Sequence, residues 1–351
     1  AHRKVRRSAV LGTVIGPGRH DDPTGGARQR YLSLLDLDAP SATEPTRIKT
    51  SFFGHGVAIR PDKPWLAVVF EKKGKGCCEV DLVAAKVTRA IATTEERHFY
   101  GHGVFSADGK HLFCTEAVVG DGSYRGVIAV RRAHNYKLIG VLDSGGHAPH
   151  DLHLDDSGKM LVVTNGGGTL DSGHTPNLAF INLESRRVRE RLPLDTPMVN
   201  AGHVAIGANG ALTVVSAPRT GMTKTGAGFV GGVSFRAKDR LHTSSHDITK
   251  ALRGEVLSVA IHRPTGIAAT TCPDGGRLLF WDAGSGALLA EKAVEHVRGV
   301  SLSLDGQWFV VTHGKDALLS LYGTRTLTAP GKPRSSWMSG SHTIVRDLRA
   351  I

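Results

Sequence analysis

Imidazole is the reactive side chain that this sequence places at regular intervals. His55 and His102 both occur as Gly-His-Gly-Val, His150 as Pro-His-Asp-Leu, His203 as Gly-His-Val-Ala and His342 as Ser-His-Thr-Ile. Two more positions of the same pattern carry Ser258 and Arg298. Neutral imidazole is the commonest metal ligand and suits zinc, copper, iron and nickel. If these five histidines converge, they predict a transition-metal site. Copper matches a donor set of many imidazoles and few carboxylates, and iron is the alternative. His147, three residues before His150, could add a ligand. Arg298 is a fixed cation that would repel a metal, so it is expected to hold an anionic ligand or a supporting acid. Glu116, in Cys-Thr-Glu-Ala, is a candidate base or hard-metal ligand, although a strand-end turn residue reads equally well. Asn165 and Asp274 fall at similar strand ends, and His296 and His313 are weaker extras. The remaining histidines, His246 and His153 among them, follow no repeat and are read as surface or core residues.

The elements that would bring these residues together are repeated. One unit recurs: a Gly/His turn, a short alternating run, an Asp/Gly-rich turn, then an apolar strand. It appears as GHGVAIRPDKPWLAVVF, GHGVFSADGKHLFCTE, PHDLHLDDSGKMLVVTN, GHVAIGANGALTVVS, LSVAIHRPTGIAATT and RGVSLSLDGQWFVVT. The aligned residues His55, His102, His150, His203, Ser258 and Arg298 are 47, 48, 53, 55 and 40 residues apart. That is the spacing of propeller blades with four strands each. Further strand pairs follow three of the units: Val127–Val130 with Leu138–Leu142, Leu178–Leu183 with Val188–Leu194, and Leu278–Trp281 with Ala287–Lys292. Val10–Ile15, Tyr31–Asp36 and Thr46–Phe53 remain at one end and Ser341–Leu348 at the other. The expectation is an all-β fold, a seven-bladed β-propeller forming one domain over residues 1–351. Its seventh blade would be a composite closed by the C-terminal strand. In such a ring the first strand of every blade lines the channel, so the aligned histidines would face one axis. The competing reading is a structural Gly-His repeat of the WD type. That pattern pairs with Trp-Asp, which occurs here once, at Trp281-Asp282.

Composition removes several other classes. The 351 residues are 40% hydrophobic and 22% charged, enough for a sizeable core and too much for wholesale disorder. No apolar run approaches 18 residues, so no transmembrane segment is expected. The basic run Arg3, Lys4, Arg6 and Arg7 precedes a short apolar run that Gly16-Pro17-Gly18 is expected to stop. It reads as a strand rather than an export signal. The net charge is +12, but the basic clusters lack interleaved aromatics, so no nucleic-acid partner is expected. Cys77, Cys78, Cys114 and Cys272 contain no Cys-x-x-Cys and read as buried small hydrophobes. Gly166–Gly168 has no helix after it and is no phosphate loop.

The segments FYGHGVFSADGKHLFCTE, PHDLHLDDSGKMLVVTNGGG and GIAATTCPDGGRLLFWDAGSG resemble an uncharacterised bacterial family of exported periplasmic propellers with twin-arginine signals, encoded near imelysin-like iron-uptake proteins. The resemblance runs from about Phe53 to Gly314 and continues more weakly into WMSGSHTIV. It implies a propeller, a periplasmic location, and periplasmic iron- or copper-handling proteins as partners. It supplies no reaction. His55, His102, Glu116, His150, Asn165 and His342 match the family's residue types. Gly202 and Asp274 stand where the family tends to have arginine, so two expected cations are missing and a shared substrate is in doubt. Three functions are therefore expected: metal uptake or handling, a copper- or iron-dependent oxidoreductase similar in kind to copper propellers, or a metal-free interaction scaffold.

Overall fold

The computed structural model describes residues 10–21, 28–224 and 228–349, so the basic stretch Arg3–Arg7 lies outside the described residues. The described chain is all-β apart from three short 3-10 turns. No described helix is long and apolar enough to cross a membrane.

Each repeat folds as an antiparallel four-stranded unit, and strand composition follows position within it. Second strands are buried on both faces and are rich in apolar and threonine side chains, as in Met160–Asn165 and Ile267–Cys272. Outermost strands have one wet face and alternate, as Leu288–Ala293 does. From the inside outwards the first unit is Gly54–Ile59, Leu66–Gly74, Cys77–Asp81, Lys86–Ala90. The second is Arg97–Phe105, His111–Val118, Arg125–Arg132, Leu138–His147. The third is Pro149–Leu154, Met160–Asn165, Asn177–Asn182, Arg187–Pro193, and the fourth His203–Ile206, Leu212–Ser216, Gly232–Arg236, Leu241–Thr243. The fifth is Ser258–His262, Ile267–Cys272, Arg277–Asp282, Leu288–Ala293, and the sixth Val300–Leu302, Trp308–His313, Leu318–Gly323, Arg334–Ser335. The terminal unit runs Ile344–Arg346, Thr13–His20, Gln29–Asp36, Thr46–Lys49, so the C-terminal strand is its innermost member. The register there is Thr13↔Arg346, Val14↔Val345, Ile15↔Ile344. Arg349 staples the same unit through two hydrogen bonds to Asp36 Oδ2, at 2.7 and 3.0 Å. The architecture is propeller-like.

Two details differ from the sequence expectation. Thr13–His20 runs straight through Gly16-Pro17-Gly18, which was expected to end it. Pro17 is tolerated because the inner strand pairs only with Thr13–Ile15, so its missing N–H faces no ladder on that side. The Pro17 carbonyl still accepts from Gly340 N–H at 2.9 Å. The first and second units also merge into one eight-stranded sheet, because the end of Leu66–Gly74 pairs with the start of Arg97–Phe105. Smaller shifts shorten Thr46–Phe53 to Thr46–Lys49 and Ser341–Leu348 to Ile344–Arg346.

The apolar cores lie between units. Val162, Leu178 and Leu192 pack with Val204, Leu212 and Val214 across the third and fourth, and Phe280 packs with Phe309 across the fifth and sixth. The terminal unit does this on both sides: Ile15 and Leu32 cluster with Val69 and Val80, whereas Val14 and Leu35 cluster with Val310 and Leu319. Burying each such side chain contributes about 1.5–3 kcal/mol. Backbone links add to this. A fully buried threonine lies in the second strand of several units, and its hydroxyl ties its own inner strand to the main chain of the next unit. Thr115 Oγ1 accepts from His102 N–H at 3.3 Å and lies 3.0 Å from the His150 carbonyl. Thr164 accepts from Asp151 N–H and donates to Gly202 O at 2.6 Å. Thr271 accepts from Ser258 N–H and donates to Arg298 O.

Candidate metal centre

The histidines come together because the inner strands are bulged where they stand. Pairing slips between Gly54 and Gly56, between Phe99 and Gly103, and between Pro149 and Leu152, which places His55, His102 and His150 inside bulges. A bulge re-aims a side chain that regular pleating would send along the sheet face. The flanking glycines make room. Gly101 has φ +114°, and a Cβ there would lie 2.6 Å from His55 Cδ2. A Cβ at Gly56 would lie 2.4 Å from Gly101 O and 2.7 Å from His102 Nδ1. The Gly-His-Gly triplets are thus the sequence trace of two imidazoles packed against neighbouring backbone.

His55, His102, His150 and His203 each offer a ring nitrogen within 4.8 Å of the others, a buried cluster that could hold a metal ion. His55 Nε2 lies 3.0 Å from His150 Nε2 and 3.4 Å from His203 Nε2. Two nitrogens bound to one ion at about 2.0–2.1 Å would lie about 2.9–3.4 Å apart. His342 joins the rings, with centroids 4.0 Å from His203, 4.7 Å from His55 and 4.8 Å from His102. The buried His102 Nε2 and His342 Nε2 have no hydrogen-bond partner. A buried polar atom left unsatisfied costs about 1–3 kcal/mol. A cation accepting their lone pairs would remove that cost.

Burial is the main reason these imidazoles stay neutral. It holds His55, His150, His203 and His342 well below the ordinary value of 6.5, with Lys72 and neighbouring imidazoles adding to the effect. His102 is lowered to about 4 by burial, with Asp151 opposing the shift. Neutral rings are the form that ligates a metal.

Asp151 orients one of them. Its Oδ1 lies 3.3 Å from His102 Nδ1 and accepts from Leu152 N–H, while its Oδ2 lies 3.0 Å from His153 Nε2 and accepts from Val204 N–H. Burial alone would raise this carboxyl, but His153 and His102 outweigh it and hold it well below the usual carboxylate range. A carboxylate beside Nδ1 selects the tautomer whose proton is on Nδ1 and leaves the Nε2 lone pair free. The structure therefore gives Asp151 and His153 parts that the repeat pattern did not assign. The visible trace was the Asp of Pro-His-Asp-Leu.

Other expected residues lie elsewhere. Glu116 is fully buried and committed to ion pairs with Arg97 at 3.1 Å and Arg131 at 2.7 Å, so it does not join the imidazoles. His147 stacks on His174, with centroids 3.5 Å apart and planes 7° apart. Arg298 directs Nε to Gly340 O at 3.4 Å. Ser258 accepts from Val300 N–H and, with His102, His153, His203 and His342, lines a cavity of about 280 Å³. Asn165 is bonded to Ser144 and Asn177, His313 to Ser320, and Asp274 lines a surface cleft with Arg253 and Arg277. His246 caps the 3-10 turn Asp247–Ala251. All four cysteines are buried and free.

Lys72 and His150 line a second cavity, of about 150 Å³, with Tyr100 and Asn200. Lys72 belongs to the basic run Lys72–Lys75, whose composition gives no sign of a place beside His150.

Comparison with solved structures places the architecture. The chain is similar to Kuenenia stuttgartiensis hydrazine synthase, with 15% identity, a TM-score of 0.65, and coverage of 93% of this chain and 99% of that one. At that identity the likeness is one of fold. No curated protein sequence matches the chain. A family model does match it over residues 48–342, a span that holds all five histidines, and the chain belongs to that family, described as "Protein of unknown function (DUF1513)".

Proposed function

We propose that the chain is a closed seven-bladed propeller that binds a transition metal on its axis, through His55, His102, His150, His203 and His342, and that it serves metal uptake or handling in the periplasm. The observation carrying this reading is the buried imidazole cluster, whose nitrogens approach to 3.0 and 3.4 Å and include partnerless buried atoms. Core clusters on both sides of the terminal unit support closure. Copper is favoured over iron by the imidazole-rich donor set, while the resemblance to exported proteins encoded near iron-uptake genes supports a periplasmic iron- or copper-handling partner. The carboxylate Asp151 contributes by orienting His102. Glu116 is proposed to stabilise the second unit through its arginines rather than to touch the metal.

The test is metal content of protein purified without chelator, combined with thermal melting in the presence of copper, iron and zinc. One ion per chain is expected, with a raised melting temperature. His102→Ala and His150→Ala should lose the ion and His246→Ala should keep it. Wild type that takes up none of the three metals, or ring variants that behave like His246→Ala, would leave the scaffold reading in its place. Copper- or iron-dependent turnover of a small substrate would make it an oxidoreductase.

A further inference from the structure

The cavity beside His150 is built for negative charge. Consecutive residues of a strand point to opposite faces, yet Lys72 and Lys73 line the same cavity. The reason is local: pairing with Arg97–Phe105 slips between Lys72 and Gly74, and Lys73 takes φ +60°. A left-handed lysine is strained and persists only where its surroundings hold it there. Lys72 has one anionic neighbour, Glu255, at a distant 4.0 Å. Its geometry is what brings it to the cluster: Lys72, Lys73 and His150 line the same cavity. Tyr100 and Asn200 add neutral hydrogen-bonding groups to the wall, and burial keeps the Tyr100 phenol protonated. The opposite wall is pinned, because Arg219 binds the carbonyls of Gly167 and Thr169.

Ammonium groups that share a cavity with a ligand of a metal cation repel that cation unless an anion lies between them. We propose that this cavity binds a small dicarboxylate, with one carboxylate reaching the metal beside His150 and the other held by Lys72 and Lys73. The protein would then take its metal as a carboxylate complex. This rests on the metal reading of the histidine cluster.

The experiment titrates malonate into copper-loaded protein by calorimetry, with acetate and inorganic phosphate as comparisons and metal content measured before and after. Wild type is expected to bind one malonate per chain, at least tenfold more tightly than acetate or phosphate. Lys72→Gln, with an unchanged melt and copper content, should weaken malonate at least tenfold, and Lys73→Gln should weaken it less. Copper-free protein should bind malonate at least tenfold more weakly than copper-loaded protein. Equal affinity in wild type and Lys72→Gln overturns the proposal, as does acetate or phosphate binding as tightly as malonate, or malonate removing the copper. If Lys72→Gln fails to fold, Lys73→Gln together with Tyr100→Phe decides, and no loss of affinity in either overturns it. Failure of the metal reading looks different: no copper is retained, whatever malonate does.

Discussion

His55 Nε2 and His150 Nε2 lie 3.0 Å apart although the residues are 95 positions apart in the chain and belong to the first and third units. Both rings are buried and held neutral, so at most one proton can sit between the two nitrogens. A metal ion or a shared proton must occupy that space electrostatically, and a second proton there is strongly disfavoured.

That arrangement fixes the sign of a pH dependence. The unfolded chain protonates these histidines near 6.5, whereas the folded cluster resists, with His102 lowered to about 4. Metal-free protein should therefore keep its full stability above about pH 6.5 and lose it as the pH falls towards 4, by up to about 1.4 kcal/mol per pH unit for each group. Asp151, held low, acts in the same direction at lower pH, and His153, held high by Asp151 against its burial, acts in the opposite one. Denaturant melts from pH 4 to 8 check this, and His150→Gln should flatten the slope. A slope unchanged in that variant would exclude the cluster as its source.

Asp151→Asn tests the orienting role. The amide has nearly the same shape but carries no charge, and its NH2 can donate to His102 Nδ1, moving the ring proton to Nε2. Metal affinity should fall about 10–100-fold, measured by chelator competition. Ring nitrogen NMR shifts should show His102 protonated on Nδ1 in wild type and on Nε2 in the variant.

Gly101→Ala should damage fold and site together. The new methyl would lie 2.6 Å from His55 Cδ2 on a backbone with φ +114°. A loss of about 1–3 kcal/mol is expected from backbone strain alone, together with reduced metal content. Gly122→Ala is the matched control, with φ +70° and nothing within 4 Å of its Cβ. It should cost about 1–2 kcal/mol and leave metal content unchanged.

Deleting residues 341–351 removes the inner strand of the terminal unit, the Arg349 staple and His342. Aggregation or self-association in gel filtration is expected, whereas full-length His342→Ala should stay monomeric and lose metal affinity alone. A truncated chain that is monomeric with an unchanged melt would argue against ring closure.

The repeat and the histidines were legible in sequence because each unit repeats one local pattern, Gly-His or Pro-His followed by an apolar strand. Spacing alone aligned His55, His102, His150 and His203. Glu116 looked available because a strand-end carboxylate carries no mark of its partners, and Arg97 and Arg131 reach it from the two strands that flank its own. Lys72 was hidden for the converse reason. In the run Lys72–Lys75 it looks like a solvated charge, and only the pairing with Arg97–Phe105 turns it inward. His147 was placed by proximity to His150, but it ends the outermost strand of the second unit whereas His150 lies on the inner strand of the third, and its ring stacks on His174 instead.

The threonine hydroxyls have a mechanical consequence. Repeat arrays whose modules touch only their neighbours can shed modules one at a time. Here Thr115, Thr164 and Thr271 rivet main chain to main chain, so drawing one unit outward tears hydrogen bonds in the next. The spacing of the units that carry the imidazoles is thereby set by main-chain contacts rather than by side chains that can swing aside. Neighbouring units tied in this way resist being spread apart: any widening of the space between the imidazoles would stretch several of these bonds together.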